Sequence, residues 1–127
     1  MSKMVQYKDG TRVWHENGVR HRTDGPAVEH ADGSRSWYEH GKLSRRNGPA
    51  IERVNGDRVW YENGLRHRTD GPATEYEDGY RAWCQHDKLH RLDGPAVIDP
   101  DGTREWWVNG IRLPDNPTKE DILGALI

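Results

Sequence analysis

Four residue types recur at spacings that could do chemistry. Tryptophan stands at Trp14, Trp37, Trp60, Trp83 and Trp106, in a constant 23-residue step. Five aligned indoles could be a platform on which nucleic-acid bases stack, or the ladder that fills a hydrophobic core. Arginine forms two columns with the same step. One is Arg12, Arg35, Arg58, Arg81 and Arg104, two positions before each Trp; the other is Arg22, Arg45, Arg68 and Arg91. Carboxylates at Glu29, Glu52 and Glu75 and at Asp24, Asp70 and Asp93 accompany them. Matched, these groups build a cross-strand Arg–carboxylate lattice with guanidinium planes over Trp rings. Unmatched, they make an anion site for phosphates or for an acidic partner surface. The formal net charge of −2 favours the lattice.

Histidine recurs at His21, His67 and His90, with Ser44 in the corresponding place of the second unit. Strand repeats would hold these imidazoles about 9–10 Å apart, whereas zinc needs its ligands within about 2.1 Å of one ion. The column is therefore expected to bond the next turn's Asp or backbone, and no metal site is predicted. His15, His30, His40 and His86 occupy other repeat positions and form no evident cluster. Cys84 stands where other units carry Tyr38 and Tyr61, which reads as a half-buried substitution and not a nucleophile. Catalysis requires unlike residues converging on one place, and a repeat supplies like residues in several places. Neither a GxxxxGK[ST] phosphate loop nor a His-Glu-x-x-His pair occurs. No catalytic residue and no cofactor are expected.

The elements that position these columns follow from the same period. Gly10, Gly33, Gly56, Gly79 and Gly102 keep the 23-residue step, as does Gly-Pro-Ala beginning at Gly25, Gly48, Gly71 and Gly94. Such self-similarity defines a repeat architecture. Two turn signals punctuate each unit. Asn17-Gly18, Asn63-Gly64 and Asn109-Gly110 suit type I′ hairpins, and Asp32-Gly33, Asp78-Gly79 and Asp101-Gly102 mark the second turn. Short extended segments such as 58–61 and 26–29 lie between them. Roughly ten short strands in one long antiparallel sheet are predicted. In Gly-Pro-Ala, Gly is expected to make the turn, Pro to fix φ at the strand start, and Ala to permit close packing. Asp87 replaces the Gly of Gly18, Gly41, Gly64 and Gly110; it tolerates positive φ, so that turn should survive in altered form.

A second period overlies the first. Units starting at Asp9 and Asn55 are identical at most of their positions, whereas those starting at Asp9 and Asp32 agree at fewer than half. The apolar residue after the turn shifts by one between neighbours, through Val19, Leu43, Leu65, Leu89 and Ile111. A one-residue shift moves a strand side chain to the opposite face. Odd and even units are thus predicted to present different surfaces within a 46-residue superunit.

The 127-residue chain carries six Trp, five Tyr, no Phe and only 20 Leu, Ile and Val, with a mean hydropathy of −1.11. Low net charge and abundant aromatics argue for a folded domain and against disorder. Fourteen Arg and five Lys against 21 acids do not give the field of a general nucleic-acid binder, so nucleic acid is not an expected partner. With one Cys, neither an intrachain disulfide nor a cysteine zinc site is possible. No apolar run approaches the length of a membrane-crossing helix, and Met1-Ser2-Lys3-Met4 lacks a signal-peptide core. A cytoplasmic protein without membrane insertion is therefore expected. Residues 1–112 form the repeat array and 113–127 a linker and capping helix, with Asn116 as N-cap and Pro117 at the first helical position. The apolar tail 122–127 caps the array or, alternatively, mediates self-association.

The 23-residue period, the Gly-rich hairpin turns and the regular aromatic resemble MORN repeats. The run Trp-Tyr-x-Asn-Gly-x-x-His-Arg-x-Asp-Gly-Pro-Ala, over about residues 5–112, is similar to repeats of many bacteriophage and bacterial proteins. The resemblance implies an all-β, elongated antiparallel array of about five stacked hairpins with a short C-terminal capping helix. It also implies an interaction platform, of the kind found among phage inhibitors of host defence and virion accessory proteins. His-Arg-x-Asp-Gly-Pro-Ala replaces the Gly and Tyr positions of MORN units, so lipid binding is not carried over. The expected activity is non-enzymatic binding of a host protein, in the host cytoplasm if the source is a phage. Contacts are assigned to side chains that vary between units: His15, Tyr38, Tyr61 and Trp107, with His30, Arg53 and Tyr76. The alternatives are a sponge that binds a small nucleotide between Arg and Trp, and a virion component.

Overall fold

The computed structural model describes residues 2–127. The described residues form eighteen short antiparallel strands and one C-terminal helix. They cluster into two compact units, Met1–Leu65 and Arg66–Ile127. Both are built from the same repeat, an all-β array of hairpins.

In the first unit, Lys3–Gln6, Arg12–Glu16, Val28–Glu29, Arg35–Ser36, Ile51–Glu52 and Arg58–Val59 lie side by side in that order. In the second, the order is Thr74–Glu75, Arg81–Ala82, Val97–Ile98, Arg104–Val108 and Ile111–Leu113. Register divides the residues between two faces. Val13 stands opposite Val28, Val28 opposite Ser36, and Ile51 opposite Val59; in the second unit Thr74 stands opposite Ala82 and Ala82 opposite Val97. This row is mostly buried. The alternate row is charged, with Arg12 opposite Glu29, Glu29 opposite Arg35, and Arg35 opposite Glu52. The expected lattice is present there: Arg12 and Arg35 reach Glu29 and Glu52 at 3.9 and 3.1 Å.

The strand number exceeds the expected ten because the chain changes partner at each Trp. Trp37 N–H donates to the Ala50 carbonyl, and the Trp37 carbonyl accepts from Ser44 N–H. Trp83 makes the same pair of bonds with Ala96 and His90. Residues before the Trp belong to the main sheet. Those after it close separate hairpins, Tyr38–Glu39 on Lys42–Leu43 and Cys84–Gln85 on Lys88–Leu89. Asn17, Asn63 and Asn109 have φ near +50° with a positive-φ Gly following, as the type I′ reading requires. His86 and Asp87 adopt the same conformation, so that turn survives without its glycine. The Asp-Gly turns are short closed loops. Gly33 N–H donates to His30 O, while Asp32 Oδ1 accepts from Ser34 N–H. That bond holds the Asp32 carboxyl below the usual range, as the Thr11 backbone does for Asp9.

The alternation between odd and even units is present. Val19 and Arg20 face Glu16 and His15, whereas Lys42 and Leu43 face Glu39 and Tyr38 in the same register. Val19 is therefore exposed where Leu43 is half-buried.

Of the two readings of the Trp column, the ladder that fills a core does not hold in full. Trp14, Trp37, Trp60, Trp83 and Trp106 are all half-buried, and the residues with no exposure are small ones, including Ala27, Ala50, Ala73 and Ala96. The helix, Lys119–Leu126, also differs in its start. Its N-cap is Thr118, whose Oγ1 accepts from Asp121 N–H while Asp121 Oδ2 accepts from Thr118 N–H. This reciprocal capping box satisfies two backbone donors and displaces Asn116, which sits at φ +52° outside the helix. Ala125 packs with Val108 and Leu113, flanked by Trp106 and Ile122, so the helix covers the last hairpin.

Candidate protein-binding surface

The His-Arg-x-Asp-Gly-Pro-Ala motif, which carries most of the chemistry in the sequence, is consumed internally. The first turn residue of each following hairpin donates its backbone N–H to the His position. His40 donates to His21 Nδ1 at 2.9 Å, His86 to His67 Nδ1 at 3.1 Å and Asn109 to His90 Nδ1 at 3.0 Å. Ser44 Oγ accepts from Asn63 N–H at 3.2 Å in the same way, which explains why serine can replace histidine there. The second turn residue donates to the preceding unit's backbone, Gly41 to Arg20 O and Gly110 to Leu89 O. His90→Ala is expected to cost about 1 kcal/mol, with faster hydrogen exchange confined to the Asn109 amide. His90→Ser should recover most of the loss, measured by urea denaturation.

Arginines of the second column sit between two walls. The Arg22, Arg45 and Arg91 guanidinium carbons stand 3.8, 3.7 and 3.9 Å from the Trp14, Trp37 and Trp83 ring centroids. Arg35 and Arg58 of the first column lie further off, at 5.6 and 5.7 Å from Trp37 and Trp60. The opposite wall is the Gly of Gly-Pro-Ala. A Cβ on Gly25 would meet Arg22 Cζ at 3.0 Å, and one on Gly94 would meet Arg91 Cζ at 2.8 Å. These glycines do not have positive φ. They stand in the expected bend before each Pro, but not because of positive φ: they are glycine because a guanidinium occupies the space of a side chain. Arg22 and Arg91 donate from Nε to Asp24 and Asp93, and from Nη1 to the Pro26 and Pro95 carbonyls.

The residues assigned to contact form two rows. His15, Tyr38, Tyr61 and Trp107 follow the Trp, beside the Asn-Gly hairpin; all four are half-buried. Tyr38 Oη accepts from Arg20 Nη1 at 3.2 Å, and Trp107 Nε1 donates to Glu105 Oε1 at 2.9 Å. Trp107 is therefore a partly covered, tethered indole and not a freely exposed one. His30 and Tyr76 open the Asp-Gly loops of their units, and Arg53 opens the equivalent Asn55-Gly56 loop. His30 and Arg53 are exposed, Arg53 lying 3.6 Å from Asp57, and Tyr76 stacks on Tyr80 with centroids 5.4 Å apart. Within one unit the two rows stand at opposite ends of a strand. Ser34, which pairs with His30, and Tyr38 are separated by at most about 13 Å of extended chain.

Cys84, at the first row's position in the fourth unit, is 5% exposed, and burial pushes its thiol up from the usual range. It is expected to resist Ellman's reagent at neutral pH in the native protein and to react fully in urea. Immediate modification of the native chain would contradict its burial.

The sequence did not reveal the histidine pairs. His40 and His86, read as isolated, lie against His21 and His67 with centroids 4.5 and 4.3 Å apart and ring planes tilted by 35° and 36°. The signal was present in the 46-residue superunit, which places both pairs at equivalent junctions. His21 Nε2 also lies 3.4 Å from Glu16 Oε2. Among the described residues no three His, Cys, Asp or Glu side chains are grouped to hold a metal ion, and no helix is long and apolar enough to cross a membrane. A scan of family models finds no match to the chain, and a search of curated proteins finds none.

Proposed function

We propose that this chain is a non-enzymatic, MORN-like repeat module that binds and occludes a protein partner, in keeping with a phage-encoded inhibitor of a host defence protein acting in the cytoplasm. The observation that supports this reading is the division of labour within the repeat. The constant residues are spent on each other: His on the next turn, Arg between Trp and Gly, Asp on Arg. The side chains that change from unit to unit recur at equivalent positions, the half-buried His15, Tyr38 and Tyr61 in one row and the exposed His30 and Arg53 in the other. A scaffold that holds its frame and varies two rows suits recognition of an extended surface of about 800 Å². The same division weighs against the nucleotide sponge, because the Trp faces that would stack a base already carry Arg22, Arg45 and Arg91.

The test is affinity capture of the tagged chain from bacterial lysate, read by native mass spectrometry. A second polypeptide at fixed stoichiometry is expected. Tyr38→Ala with Tyr61→Ala should weaken its binding about 30-fold or more, the loss typical of aromatic anchors, with the melting temperature preserved. Undiminished binding by that folded variant overturns the assigned surface. Self-association through the exposed Leu123, Leu126 and Ile127 of the C-terminal segment is the competing use of this scaffold; concentration-dependent dimerisation abolished by Leu123→Glu would favour it.

A further inference from the structure

The second unit departs from its neighbours at one place. Where the first, third and fourth units read His-Arg-Thr-Asp, His-Arg-Thr-Asp and His-Arg-Leu-Asp, it reads Ser44-Arg45-Arg46-Asn47. Asn47 thus replaces the carboxylate that accepts from Arg Nε at Asp24, Asp70 and Asp93, with bonds of 2.9, 2.9 and 3.0 Å. Arg45 keeps its stack on Trp37 and its Nη1 bonds to Pro49 O and Glu52, but among the described residues its Nε has no acceptor. Its side chain is 29% exposed, against 19% for Arg22. Arg46 adds a second guanidinium, exposed and without a hydrogen bond or ion pair among the described residues. The substitution pair removes one negative charge and adds one positive charge at a single spot.

That spot is a cleft. A cavity of about 590 Å³ in the first compact unit is lined by Arg22, Arg45 and Arg46, by His21 and His40, and by Ser44 and Asn47; Glu39 is its one acid. Arg22 is matched by Asp24 and Glu29. Arg45 and Arg46 are left with unfilled donors in adjacent positions, the arrangement that takes a phosphate oxygen pair. We propose that this cleft is an anion site for a small diphosphate-bearing ligand, held by Arg45 Nε and the Arg46 guanidinium; none of the residues lining it belongs to the protein-binding rows. Guanidiniums already lie near the Trp37 ring, Arg45 at 3.7 Å and Arg35 at 5.6 Å, so recognition falls on the phosphates and not on a stacked base.

The experiment titrates the full chain with sodium pyrophosphate and with ADP, by calorimetry and by thermal melting, with sodium sulfate as the control for general ionic effects. Saturable one-to-one binding of pyrophosphate and a rise in melting temperature are expected, with ADP of similar affinity. Restoring the repeat's own residues separates site from fold. Asn47→Asp hands Arg45 the partner that Arg22 has, and Arg46→Thr installs the residue of the first and third units. Each should keep or raise the unliganded melting temperature and weaken pyrophosphate about tenfold or more, the loss of one charge-assisted contact. The proposal is overturned if the wild type fails to bind pyrophosphate at millimolar concentration. It is equally overturned if sulfate shifts the melt as much, or if both folded variants bind like wild type.

Discussion

Arg91→Ala should be the most damaging single substitution of a charged side chain, costing about 2–4 kcal/mol and lowering the melting temperature by roughly 10 °C. The side chain donates at 3.0 Å to Asp93 and at 3.0 Å to the Pro95 carbonyl, and its carbon lies 3.9 Å from the Trp83 centroid. Alanine would strand the Pro95 carbonyl and open a slot between the indole and Gly94. Arg91→Lys should recover less than half of the loss, because an ammonium cannot stack and bond two acceptors from one plane. Gly94→Ala attacks the same sandwich from its other wall, at about 1–3 kcal/mol, since its Cβ would come within 2.8 Å of the guanidinium carbon. Arg46→Ala is the control, within about 0.5 kcal/mol of wild type as a surface change. Urea denaturation of the four variants decides the matter: an Arg91→Ala midpoint equal to wild type would mean that the sandwich contributes nothing to stability.

The second large effect has the opposite sign. Thr74 has no exposure, and its Oγ1 has no hydrogen-bond partner among the described residues. Equivalent positions hold Val28, Ile51 and Val97. A buried hydroxyl without a partner costs about 1–3 kcal/mol. Thr74→Val keeps the branched shape and removes the hydroxyl, so a gain of about 1–2 kcal/mol and a melting temperature higher by about 4–8 °C are expected. The reciprocal change, Val97→Thr, should lose a similar amount. A neutral result for both would show that the hydroxyl is satisfied.

Much of the architecture was legible because the repeat states each local rule several times. Positive φ at Asn17, Asn63 and Asn109 followed from Asn-Gly, and the face switch between Val19 and Leu43 followed from their one-residue offset. The features that escaped depend on which of two equivalent groups lies nearer a third. Both Arg columns have the composition to cover Trp; it is Arg22, Arg45 and Arg91, all of the second column, that lie closest to ring centroids. Gly25 stands in the bend that was expected, but the reason it is glycine was not legible, because glycine serves both positive φ and close approach and its letter does not distinguish them. The helix start moved because Thr118 and Asp121 satisfy each other, which Asn116 ahead of Pro117 could not match. Of the candidate surface, the variable rows were readable as variation. The burial that tethers Trp107 and sequesters Cys84 was not, since half-burial depends on what lies alongside.

The docking of each Asn-Gly-type turn on the hairpin before it bears on the order in which the molecule assembles. Gly41 reaches back almost one full repeat to Arg20, and Gly110 reaches back as far to Leu89. Proteins made of sheet usually fold slowly, because their strands must find partners across long stretches of chain. The entropic cost of closing such a loop grows only slowly with its length, by about 0.6 kcal/mol for each doubling. A nascent chain needs roughly two repeats outside the ribosome before its first interlocked turn can close, and each further repeat extends the structure by one step. The protein is therefore expected to fold within milliseconds despite its strand content, and to do so from the N-terminus as it is synthesised.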